Sequence, residues 1–126
     1  MFAQRDYDAA FNISSLHNPV PLEIVCYLCQ QCVEKILKAY ILAHSNPLVK
    51  THDLEYVLKQ CAEHDDMFSA FADICTVLTG YATASRYPLD EDWIDENDME
   101  IALNSANTVL EFTKTRLADL GYKADE

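Results

Sequence analysis

Residues 30–39 read Gln-Gln-Cys-Val-Glu-Lys-Ile-Leu-Lys-Ala and combine polar and apolar side chains at helical spacing. The polar side chains recur at intervals of three and four residues, on one face of a helix: Gln31, Glu34, Lys35 and Lys38. The apolar ones follow the same intervals on another face: Val25, Cys29, Cys32, Ile36, Ala39 and Ala43. The stretch therefore predicts a long helix with one face in a core and a distinct polar face.

The rest of the chain shows the same periodicity, and prolines at positions 19, 21, 47 and 88 separate helix-sized segments. We predict helices over residues 2–16, from Pro21 to about His44, from about Thr51, over 66–85 and over 98–120. Thr51 is expected to cap the third helix, and Gly121 the last one. In the first helix the residues expected to face inward are Phe2, Ala9, Ile13 and Leu16. In the last they are Met99, Leu103, Ala106, Leu110, Thr113, Leu117 and Leu120.

This pattern predicts an all-α fold in a single domain over residues 1–126. Short connections and apolar faces near a 3.5-residue period favour an antiparallel up-and-down helical bundle, with four long helices and one short or split helix. Tyr27, Tyr40 and Ile41 lie off the main apolar face of the second helix. We expect such a surface to form a homodimer.

Charge and composition exclude several classes of protein. The formal net charge is -12, from 21 acidic and 9 basic residues, which argues against non-specific DNA binding. No segment approaches the roughly 20 apolar residues of a membrane span, and the N-terminus does not resemble a signal peptide. We therefore expect a cytoplasmic protein that does not enter a membrane.

The five cysteines are expected to be free thiols in a reducing compartment. Cys26, Cys29 and Cys32 have the spacing of a metal motif, but they fall within one apolar helical pattern with no fourth ligand nearby. We interpret them as small core residues and expect no metal and no cofactor.

Four motifs together resemble the HEPN domain family. They are Tyr-Asp-Ala-Ala at residues 7–10, Gln-Gln-x-x-Glu-Lys-x-x-Lys-Ala at 30–39, Thr-His-Asp-Leu at 51–54 and Ser-Arg-Tyr-Pro at 85–88. The resemblance implies a helical bundle that dimerises, often beside a minimal nucleotidyltransferase in a two-component or toxin-antitoxin system. It also implies nucleotide binding in some members and metal-independent RNA cleavage in others.

On the matched motifs, the residues expected to bind a nucleotide or phosphate are Lys35, Lys38, His52 and Arg86. Supporting roles are expected for Gln30, Gln31, Glu34 and Tyr87. A structural alternative remains for several of them. Glu34 and Lys38 have the favourable order of a solvated i, i+4 ion pair, and Arg86 is suited to pair with Glu34 across the bundle.

The RNA-cleaving members are expected to carry an arginine followed, after four to six residues, by a histidine. After Arg86 the permitted positions are Glu91, Asp92 and Trp93, and the corresponding positions after Arg5 (10–12) and Arg116 (121–123) also hold no histidine, so this motif is absent. We therefore expect a binding and interaction module without catalytic residues. The alternatives are a divergent endoribonuclease that uses Arg86 and His52 from different segments, and a purely structural dimer.

Overall fold

The computed structural model describes residues 2–16, 20–45, 47, 50–84 and 95–122, with the backbone alone for residues 81–84. Its helices are α1 (Phe2–Leu16), α2 (Leu22–Ala43), α3 (Leu54–His64), α4 (Ala72–Ala84) and α5 (Glu96–Asp119). A 3-10 segment, Asp66–Phe71, joins α3 to α4. These ranges contain no β-strand. The prediction of an all-α fold is confirmed, whereas the single helix predicted over residues 66–85 is divided at Phe71.

Helix α2 is the centre of the bundle and packs against α1, α3, α4 and α5. Its three cysteines, Cys26, Cys29 and Cys32, are completely buried. Burial raises the pKa of Cys26 and Cys32 to about 12 and that of Cys29 further still. The prediction that they are core residues is confirmed, because a neutral thiol in an apolar core behaves as a small hydrophobic group.

The predicted inward face of α1 is wrong at both of its ends. Phe2 is 68% exposed and Leu16 is 78% exposed, whereas Ala3 and Ala10 are buried against the bundle. Helix α1 carries apolar residues at helical spacing on two faces, so the spacing alone does not select one. Helix α1 packs mainly against α2, and small buried residues such as Ala3 and Ala10 allow packed helices to approach closely.

The expected dimer surface on α2 is also wrong in two of its three residues. Tyr40 is only 4% exposed and Ile41 only 1%, while Tyr27 remains partly exposed. The Tyr40 ring packs against Phe68, with centroids 4.6 Å apart. The 3-10 segment therefore covers a part of α2 that the periodicity had left outside the core.

Two helix starts differ from prediction because a nearby aspartate is the cap. The cap of α3 is Asp53, whose carboxylate accepts hydrogen bonds from the backbone N–H groups of Glu55 and Tyr56. Thr51 instead accepts a hydrogen bond from the backbone N–H of Asp53. Helix α5 begins at Glu96, where the side chains of Asp95 and Asp98 each accept a bond from the other's backbone N–H. Aspartate is a preferred cap because its carboxylate satisfies free amides at the positive end of the helix.

Helix α5 ends as predicted, at Gly121. This residue has φ 94°, in the left-handed region, and its N–H donates to the Ala118 carbonyl while the Tyr122 N–H donates to the Leu117 carbonyl. This pair of bonds is the Schellman motif. Of the residues predicted inward on α5, Leu120 alone is exposed; the other six are buried.

Replacing Gly121 with alanine is expected to lower the free energy of unfolding by about 1 kcal/mol, because an L side chain disfavours the left-handed conformation. No atom lies within 4 Å of a Cβ built there, so steric contact is not the cause. Gly121→Asn is the control, since asparagine tolerates this conformation better. Urea unfolding of the three proteins checks the prediction, and equal stability of the wild type and the alanine variant would contradict it.

A membrane-spanning helix is not found among the described residues, since none of their helices is both long and apolar enough.

Candidate functional site

A buried carboxylate joins α2 to the start of α3. The Glu34 side chain is 5% exposed, and its Oε2 atom accepts a hydrogen bond from Lys38 Nζ at 3.0 Å. The same oxygen lies 2.9 Å from Nδ1 of His52. We call Glu34, Lys38 and His52 the Glu34 cluster.

Local structure explains how these three side chains meet. Glu34 lies between the fully buried residues Val33 and Ile36 on α2, so its side chain is held at the surface of the core. Lys38 follows one helical turn later, where i and i+4 side chains are neighbours. His52 immediately precedes the Asp53 cap, which fixes the chain entering α3. The cap therefore holds His52 next to Glu34, which is 18 residues away in sequence.

The electrostatics of the cluster favour an ionised Glu34. Burial raises the pKa of this carboxyl, but the hydrogen bonds and charges of Lys38 and His52 outweigh it, and the net pKa is below the ordinary value. A carboxylate only accepts hydrogen bonds, so Nδ1 of His52 carries a proton when the contact forms. In the neutral ring, Nε2 then holds the lone pair. The His52 side chain is 77% exposed, so the cluster has one side open to solvent.

The second oxygen of Glu34 is supported from α2 itself. Gln30, which is 3% exposed, directs Nε2 to Glu34 Oε1 at 3.4 Å. Gln31 in turn donates from Nε2 to Gln30 Oε1 at 2.8 Å. The two glutamines thus form a chain of hydrogen bonds that ends at Glu34.

The remaining predicted residues lie elsewhere. Lys35 forms an ion pair with Asp6 of α1, with Nζ and Oδ2 2.6 Å apart, so its charge is compensated away from the Glu34 cluster. Arg86 and Tyr87 lie outside the described residues. Of the four residues expected to bind a ligand, the structure thus brings together Lys38 and His52.

Sequence reasoning missed the burial of Glu34, which the helical spacing had placed on an open polar face. It also missed the contact between Glu34 and His52, because no local spacing links two residues in different segments. The only sequence signal for this contact is the pair of motifs at residues 30–39 and 51–54.

Two kinds of chemistry are open to the Glu34 cluster, anion binding and proton transfer. The ammonium of Lys38 and the open imidazole of His52 provide donors for an anionic group, and an oriented neutral imidazole can accept a proton at Nε2. Within the described residues, no three histidine, cysteine or acidic side chains are grouped to hold a metal ion.

The contribution of Glu34 to stability is expected to disappear in acid. Its folded-state pKa is lowered, so the stabilisation is present above the unfolded value of about 4.5 and is lost as the pH falls through the folded value. Urea unfolding of the wild type and Glu34→Gln at pH 7 and at acidic pH measures this contribution as the difference in stability between the two proteins. All other titrating groups are the same in both, so their effects cancel in the difference. A difference in stability that is the same at both pH values would contradict the assignment.

The comparison with protein families gives a match over most of the chain. A family model described as the HEPN domain matches residues 2–117 of the 126 residues. No significant match was found to a curated protein or to a solved structure. The family match includes all three residues of the Glu34 cluster and nearly the entire helical bundle. The chain therefore belongs to the HEPN domain family.

Proposed function

We propose that this HEPN domain binds the phosphate of a nucleotide at the Glu34 cluster. The observation that carries the proposal is a buried carboxylate that holds a lysine and a largely exposed histidine on one oxygen. Such a carboxylate fixes the two basic groups before a ligand arrives, which reduces the entropy lost on binding. The site is formed by Lys38 and His52, with Arg86 as a further expected contact, whereas Lys35 pairs with Asp6 of α1.

The net charge of -12 makes a local site necessary. Long-range attraction of a polyanion is unfavourable for this chain, so binding depends on direct contacts with one or two phosphates. The side chains of Lys38 and His52 are 16% and 77% exposed and meet at one oxygen of Glu34, so a small anion can contact both basic groups. This arrangement favours a mononucleotide or a short single-stranded ligand over a long duplex.

Calorimetric titration with ATP tests the proposal. We expect His52→Ala to weaken binding by about tenfold, since a hydrogen bond to a charged group contributes about 1.5 kcal/mol or more. Arg5→Ala is the matched control, because Arg5 is an exposed base on α1. Binding that is equally strong in the wild type and His52→Ala would contradict the proposed site, as would a larger loss in Arg5→Ala.

A second candidate function, metal-independent cleavage of RNA, is supported by the geometry of His52. A carboxylate on Nδ1 orients the imidazole and leaves Nε2 free to accept the proton of a 2′-hydroxyl, the general-base arrangement. The family's arginine and histidine motif is absent, so Arg86 would have to stabilise the phosphate from another segment. Incubation of a mixed RNA substrate in EDTA tests this function, with His52→Gln and Arg86→Ala as parallel variants. Cutting that is retained by both variants would exclude this mechanism.

The assembly that we propose is a homodimer of antiparallel up-and-down bundles, each a single domain, with a minimal nucleotidyltransferase as partner in a two-component or toxin-antitoxin system in the cytoplasm. Membership of the family supports this proposal. Sedimentation of the chain alone, and co-purification with a nucleotidyltransferase encoded beside it, test the two associations separately.

A further inference from the structure

A groove of about 290 Å³ lies between α3 and the chain that follows it, away from the residues of the Glu34 cluster. The apolar residues that line it are Leu58, Ala62 and Ala72. The two alanines leave the groove open, because a larger side chain at either position would occupy part of it. Its volume is close to the lower end of the range for small-molecule sites.

The rim of the groove carries a negative and a positive group that do not neutralise each other. Glu55 and Lys59 have the i, i+4 order that favours an ion pair on a helix. Glu55 instead accepts a hydrogen bond from the Thr76 hydroxyl on α4 at 3.0 Å. Lys59 forms no ion pair with any residue in the described part of the chain. The two charges therefore stand apart on one edge of an apolar groove.

We propose that this groove binds a small zwitterion with an aliphatic side chain, as in a branched α-amino acid. The ligand's carboxylate pairs with Lys59 and its ammonium group with the Glu55 carboxylate, which Thr76 holds in place. The aliphatic side chain covers Leu58, Ala62 and Ala72. A zwitterion satisfies both rim charges at once, whereas an anion alone faces Glu55 and a cation alone faces Lys59.

Titration of the ¹⁵N-labelled full chain with L-leucine, followed by NMR, tests the proposal. We expect saturable shifts of the backbone amides around the groove, in residues 55–62 and 69–76. Two analogues separate the charges: 4-methylpentanoate lacks the ammonium group, and 3-methylbutylamine lacks the carboxylate. Each is expected to bind at least fivefold more weakly, the factor that corresponds to an exposed ion pair of about 1 kcal/mol.

Two variants locate the ligand. Lys59→Ala is expected to weaken L-leucine binding about fivefold, and Ala72→Leu to abolish it by filling the groove. Ala72 is exposed, so the larger side chain does not overpack the core. Arg5→Ala and Ala118→Leu are the matched controls on exposed positions of α1 and α5, and both are expected to bind like the wild type.

Three results would overturn the proposal. They are the absence of saturable shifts with L-leucine, equal binding of either analogue, and unchanged binding in an Ala72→Leu variant whose thermal unfolding is cooperative. The proposal is independent of phosphate binding at the Glu34 cluster, because the two sites share no residue.

Discussion

Replacing Glu34 with alanine is expected to lower the free energy of unfolding by about 2 kcal/mol, between about 1 kcal/mol for an exposed ion pair and about 3 kcal/mol for a fully buried one. The loss arises because Lys38, only 16% exposed, is left without the carboxylate that accepts its hydrogen bond. His52 loses its contact with α2 in the same variant. Urea unfolding monitored by far-UV circular dichroism measures the change.

Glu111→Ala is the matched control for this prediction. Glu111 also pairs with a lysine on its own helix, Lys114, but its side chain is 57% exposed. An exposed pair of this kind contributes at most about 1 kcal/mol. If the two variants lost the same stability, burial would not distinguish the Glu34 cluster from an ordinary surface ion pair.

The largest effect on stability is expected from Phe68→Ala, which should lower the free energy of unfolding by about 4 kcal/mol. Phe68 is completely buried in the 3-10 segment. Its ring centroid lies 4.6 Å from that of Tyr40 and 5.1 Å from that of Phe112. The substitution removes these contacts and leaves a cavity between α2, α5 and the 3-10 segment.

Phe2→Ala provides the control for loss of a phenyl ring, because Phe2 is 68% exposed. This substitution is expected to change stability by about 0.5 kcal/mol or less. Chemical denaturation of both variants gives the comparison. A loss below about 1 kcal/mol in Phe68→Ala, well under the range for buried aromatic residues, would show that the 3-10 segment is not an essential part of the core.

The helical fold was predictable because the strongest signals are local. The periodicity of α2 and the prolines indicate where the helices run, and Gly121 indicates where the last one ends. Each of these signals depends only on residues close in sequence. The face of α1 was not predictable in the same way. Its exposed residues, Phe2 and Leu16, are as apolar as core residues, and only the packing of Ala3 and Ala10 decides which side is buried.

In the candidate site, too, contacts between residues close in sequence were predictable and contacts between separate segments were not. The helical spacing correctly paired Glu34 with Lys38, but it placed Glu34 on an open face. Its contact with His52, 18 residues away in sequence, depends on the position of the segment that precedes α3. The family motifs at residues 30–39 and 51–54 contain Glu34 and His52, and the contact between these two side chains joins the two motifs in space.

The Glu34 cluster is tested most directly by NMR detection of the His52 ring nitrogens during a titration with ATP. We expect Nδ1 to carry a proton in the free protein, and Nε2 of His52 to show the largest shift among the histidine ring nitrogens as ATP binds. Glu34→Gln should reduce that response, because the neutral amide no longer stabilises the oriented ring. Saturable binding of ATP with no change at His52 would contradict the account.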